Sequence, residues 1–221
     1  MKGLLLLTGS FLLLSCAALP QIFQPAGPAT QTILCPSPFL TEKTRLIHAI
    51  EVRTAGETKT VMIGVTLTDP SSRTISCALM SAEGVTFFEA ASGPSGLMVS
   101  RALPPFDEGD FARNMMEDIE LIFLAPPGML TQKGVLAGGD QVCRWHNKQG
   151  GWVDVLSGPD GRMNVRRYSE GGGLKRSVRL APAAAPPYST IELQASELFD
   201  YTLMMTLIEA EAAKDEPQLT K

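Results

Sequence analysis

Few side chains in this chain of 221 residues have the type and spacing for covalent or acid–base chemistry: it carries two histidines and four cysteines. His48 lies in the alternating run "RLIHAIEVRT", where an imidazole is expected to be a satisfied structural residue. His146, between Trp145 and Asn147, stands near a turn and is expected to be exposed. A Ser-His-Asp site would have to use one of these two, with no local signature to support either. The segment "SGPSG" at 92–96 is turn chemistry, and its second glycine does not fall where a nucleophile elbow needs it. No HExxH, phosphate-binding loop or Rossmann glycine pattern is present. Glu117, Asp118 and Glu120 lie together, and paired acids beside an apolar cavity can have raised pKa values. A solvated helix face is the simpler reading. With no CxxC spacing and so few histidines, a zinc site is not expected. The chain reads as non-enzymatic, with no metal and no cofactor.

Cys16 is the thiol with a definite chemistry. Lys2 precedes an apolar run from Gly3 to Leu14, shorter than the roughly 20 residues a membrane-spanning helix needs. It has the length of a signal-peptide core. It ends in Leu13-Leu14-Ser15-Cys16, which resembles the bacterial lipoprotein signal. That resemblance implies transfer of diacylglycerol to the Cys16 sulfur, cleavage before it, and acylation of the new amino terminus, with palmitate-type chains as the anchor. The alternative is a plain secretory signal cut near Ala17-Ala18. Ala17, rather than Asp, follows the cysteine. In enteric-type sorting this leaves a lipoprotein free to reach the outer membrane and face the periplasm. In such an oxidising compartment Cys35, Cys77 and Cys143 permit one disulfide with one thiol left over. The sequence alone does not select the pair. Cys77 with Cys143 is preferred, because each sits on the apolar face of a strand-like run.

The elements that must position these residues follow from periodicity. Residues 1–15 form the leader and residues 16–40 a lipidated terminus and Pro/Ala/Gln-rich tether. Residues 41–210 are the folded domain, and 211–221 a polar tail. Alternation in "RLIHAIEVRT", "KTVMIGVTLTD", "RTISCALMS" and "VTFFEAA" predicts strands, with a further short one through "GLMVSRAL". "FARNMMEDIELIFL" has helical period, with Asp107 or Asp110 as caps and "APPG" as a stop. "GDQVCRWHN", "GWVDVLS", "RMNVRRYS", "GLKRSVRLA", "YSTIELQA" and "YTLMMTLIEA" complete about eleven strands. The predicted class is mainly β (α+β): a curved antiparallel sheet, or unclosed β-barrel, with a helical lid. Phe111, Met115, Ile119 and Ile122 of the lid and Tyr201, Leu203 and Met205 of the last strand are the expected cavity residues. The ten methionines suit an adaptable apolar surface, and equally serve as core fillers. A formal charge of −4 disfavours nucleic acid. The one dense basic stretch (Arg162, Arg166, Arg167, Lys175, Arg176, Arg179) reads as the solvated faces of β-ribbons.

The order of these features resembles a family of bacterial outer-membrane lipoproteins, some encoded beside fatty-acid or aryl-polyene synthesis genes. The features are a lipobox, a short tether, paired strands, an "EG-V-FF" hairpin and "ALPPF" before a helix. A closing strand pattern follows through Ile191, Leu193, Phe199, Tyr201, Leu203 and Met205. The family is similar to the LolA/LolB lipoprotein-carrier fold over roughly residues 40–210. The resemblance implies a LolB-like half-barrel that uses apolar cavity residues, without a catalytic set, to bind or transfer a lipid, acyl or lipoprotein ligand. It also implies a periplasmic carrier or envelope partner. LolB-type receptors present an exposed apolar loop residue, and Met129-Leu130 after "APPG" is the candidate here. A non-catalytic envelope scaffold with a dry core is the alternative; an envelope hydrolase is the third.

Overall fold

The computed structural model describes residues 18–24, 34–147, 150–181, 186–196 and 200–213. Cys16, Phe199, the leader and most of the polar tail therefore lie outside the described residues. Strands β1 (Thr44–Thr54), β2 (Glu57–Asp69), β3 (Thr74–Met80), β4 (Thr86–Gly93) and β5 (Gly96–Ala102) meander from the middle of a sheet to one edge. Helix α1 (Phe111–Phe123) follows. Strands β6 (Met129–Val135), β7 (Gln141–Asn147), β8 (Gly151–Ser157), β9 (Met163–Tyr168), β10 (Leu174–Leu180), β11 (Thr190–Ala195) and β12 (Tyr201–Ala212) return from the opposite edge. β12 pairs with β1, so the result is one antiparallel sheet of twelve strands in the order 5-4-3-2-1-12-11-10-9-8-7-6.

That order gives the helix its place. β5 and β6 are consecutive strands at opposite edges, and the segment between them must cross a face of the sheet. Strand alternation makes one face apolar: Leu46, Ile50, Ile75, Phe88, Val155, Val165, Val178 and Leu193 all point to it and are buried. The sheet curls around the crossing helix, which touches β3 and β4 on one arm and β9 on the other. Met116, Leu121, Ile122 and Phe123 of α1 are buried against this concave face, joined by Phe39, Leu40 and Leu124. Each such side chain contributes about 1.5–3 kcal/mol. Asp110 stands at the helix N-cap without a side-chain capping bond. The helix ends where Pro126 and Pro127 forbid its continuation.

Two expectations are corrected. About eleven strands were expected, and the additional one is β6. Five of its seven residues are exposed on both faces, so no alternation marks it. Among the described residues its one strand-long pairing is with β7, at the edge of the sheet. The preferred Cys77–Cys143 disulfide is also wrong: Cys143 is bonded to Cys35, and Cys77 is a buried free thiol. β3 and β7 lie on opposite arms of the curved sheet with the helix between them. Cys77 Sγ instead lies 3.4 Å from Met116 Sδ on the helix, and burial pushes its pKa up to about 12.

Candidate functional site: a helix latched into an apolar hollow

The concave face is covered by one amphipathic helix instead of a second sheet, and polar side chains hold that helix down. Asp118 is 4 % exposed beneath α1. Arg176 Nε, from β10, donates to Asp118 Oδ1 at 2.7 Å, and the Tyr201 hydroxyl, from β12, donates to Oδ2 at 2.7 Å. Arg176 also lies 5.9 Å from the centre of the Tyr201 ring and donates to the Lys175 carbonyl at 3.1 Å. Burial pushes the Asp118 carboxyl above its ordinary value, while Arg176 and the Tyr201 hydroxyl pull the other way. Next to Asp118 in sequence, Glu117 meets Arg167 of β9 at 2.9 Å. Near the helix C-terminus, Arg73 donates to the Ala125 carbonyl at 2.9 Å and to Glu120. A cation there also satisfies the negative end of the helix dipole. At the other end, the Phe111 ring packs edge-on against Phe88 at 5.9 Å and Phe106 at 5.1 Å.

The expected cavity residues do converge. Phe111, Met115 and Ile119 are half-buried against the core and Ile122 is buried in it; on the facing strand Tyr201 and Leu203 are half-buried and Met205 buried. They form a packed interior, with Tyr201 acting as a hydrogen-bond donor as well as an apolar wall. The acids on the helix are not one solvated face. Asp118 points inward, and a signal for it was present: 111, 115, 118 and 122 form one stripe at helical spacing. Its partner Arg176 lies 58 residues away, which no local pattern reports. In the basic stretch, Arg162 pairs with Asp160, Arg167 with Glu117, Arg176 with Asp118 and Arg179 with Glu192. Met129, at the start of β6, is 70 % exposed and Leu130 beside it is also exposed.

His48 is 1 % exposed, and neither ring nitrogen has a hydrogen-bond partner among the described residues, against the expectation of a satisfied residue. It lies 5.9 Å from the Phe123 ring, and burial lowers its pKa to about 4. His146 stacks on Trp152 at 4.2 Å and contacts Glu170 at 3.1 Å. A polar cleft of about 330 Å3 opens between Asn114 and Glu117 of the helix and Arg167, Tyr168, Lys175 and Arg176 of β9–β10. A second, of about 470 Å3, lies against Arg53, Glu192, Gln194, Thr202 and Met204.

The architecture is a LolA-like fold, an unclosed antiparallel sheet wrapped on a helix. A crystal structure of a LolA superfamily protein from Nitrosomonas europaea superposes with a TM-score of 0.53. The match covers 83 % of this chain and 92 % of that one at 12 % identity, a likeness of fold. No family model matches the sequence, and no curated protein matches it.

Proposed function

We propose that this chain is a lipoprotein anchored through Cys16 in the outer membrane, where it binds or transfers a lipid, acyl or lipoprotein ligand in the hollow of its sheet. One observation carries the reading: an apolar trough is covered chiefly by a single latched helix, so displacing that element uncovers much of the concave face. At about 25 cal/mol per Å2, a few hundred Å2 of acyl chain buried there contributes several kcal/mol. That gain must offset the packing of α1 and the contacts of Asp118, Glu117 and Glu120. No chemical step is involved, and the carboxylates act as fasteners.

Native mass spectrometry of the mature protein, released from detergent, tests the reading. A reproducible added mass that is extractable into organic solvent supports it and names the ligand class. A ligand-free mass, with no binding of a hydrophobic fluorescent probe, refutes it. Cys16→Ala is expected to move the protein from the membrane to the soluble fraction on flotation; persistent membrane association refutes the lipid anchor.

The filled hollow favours a second reading, an envelope scaffold with a dry core. Its contact surface would be the β5 edge, where Leu97, Met98 and Val99 are exposed in succession.

A further inference from the structure

Residues 18–24 were expected to be a free tether, yet they are fastened to the sheet. Phe23 N donates to the Val135 carbonyl at 2.8 Å, and Val135 N returns a bond to the Phe23 carbonyl at 2.9 Å, extending the sheet past β6. Gln24 Nε2 donates to the Lys133 carbonyl at 3.2 Å. Arg144 Nη2 donates to the Pro20 carbonyl at 3.0 Å. Arg144 also grips Asp154 through bonds of 2.6 and 2.7 Å.

This pair lies on the face opposite the core, since Val153 and Val155, on either side of Asp154 along β8, belong to the inner apolar cluster. Strand alternation would leave such a pair in water, yet Asp154 is 0 % and Arg144 3 % exposed. The segment also crosses Gly134 so closely that a Cβ there would lie 2.3 Å from the Phe23 carbonyl oxygen and 2.6 Å from Ile22 Cγ2. The Cys35–Cys143 disulfide fastens the chain a second time as it returns.

We infer that residues 18–24 are a strap that holds the β6–β7 margin of the sheet against the phospholipid bilayer carrying the Cys16 acyl chains. The inference rests on Cys16 being lipidated. From Cys16 to Pro20 the chain advances four residues, a reach of at most about 14 Å. A free tether over residues 16–40 would instead span roughly 25–30 Å on average. β6 is one of the two edges of the unclosed sheet. The strap therefore sets one lip of the opening at the membrane surface and keeps the domain from tumbling on its anchor.

The test uses the full-length lipidated protein in vesicles of phosphatidylethanolamine and phosphatidylglycerol with an acceptor dye on the headgroup. A donor dye is placed at Met129→Cys on β6 or at Val61→Cys on β2, both exposed positions far apart in the sheet. The Met129 donor is expected to be quenched several-fold more than the Val61 donor. The difference should collapse in Gly134→Ala, whose methyl would run first into the strap, at Phe23 and Ile22. It should collapse also when a long Gly-Ser segment is inserted between Ala17 and Ala18, which leaves the domain untouched. Equal quenching in the parent, or a difference that survives the insertion, overturns the inference. Failure to float with vesicles overturns the anchor and the membrane placement together. Hydrogen exchange separates the two failures: slow Phe23 and Val135 amides, made fast by Gly134→Ala, show a strap that exists without a membrane role.

Discussion

Asp118 and Arg176 meet at 2.7 Å where almost no water reaches either group. Removing Arg176 strips the buried Asp118 carboxylate of its counter-charge and leaves the Tyr201 hydroxyl to serve one oxygen, whereas removing both charges leaves no buried ion. Arg176→Met is therefore expected to destabilise the fold by about 3–5 kcal/mol, and Asp118→Leu with Arg176→Met to recover most of that loss, in urea unfolding. His48 predicts a pH dependence. Its pKa is about 4 in the folded chain, against an ordinary 6.5. Between these values the unfolded chain binds a proton that the folded chain does not. Stability is full above pH 6.5 and falls as the pH drops toward 4, by about 3 kcal/mol in all. Asp118, raised by burial, works in the opposite direction, so the measurement is the difference between the parent and His48→Phe. An identical slope in both would refute the assignment. The buried face of Asp118 was legible in its helical stripe; the isolation of His48 was not, because alternation reports a face and says nothing of hydrogen-bond partners.

At the scale of elements, α1 is both crossover and lid. Its existence and stop were readable from 3.6-residue periodicity and the two prolines. What holds its C-terminal end is a residue in a turn, Arg73, 47 positions away in sequence from Glu120. Half-exposed pairs of this kind contribute about 0–1 kcal/mol. Arg73→Ala is thus expected to leave the unfolding midpoint nearly unchanged while raising the binding of a hydrophobic fluorescent probe, as the helix end lifts from the trough. Unchanged probe binding would show that apolar packing alone holds the lid. β6 went unread for a related reason. An edge strand exposed on both faces has no burial to imprint a period of two, and only its ladder with β7 defines it. The β5 edge, by contrast, is apolar and exposed. Met98→Lys is expected to suppress any concentration-dependent self-association seen by light scattering, as charged edges do in natural sheets.

For the whole molecule, the Cys35–Cys143 bond ties the segment after the strap to β7 across 108 residues of chain. Closing a loop of that length restricts the unfolded chain, so Cys35→Ser is expected to cost about 2–5 kcal/mol, read as a lowered urea midpoint under oxidising conditions. Residue type and spacing by themselves determined the predominance of β-structure, the single helix, the apolar face of most strands and the residues that meet in the hollow. Each depends on local periodicity, which burial writes directly into the order of residues. The disulfide partner, the Asp118–Arg176–Tyr201 latch, the unpartnered His48 and the strap over Arg144 and Asp154 were decided only by the tertiary structure. Each depends on which groups strand order brings together, and strand order is a property of the whole sheet that no stretch of the chain carries alone.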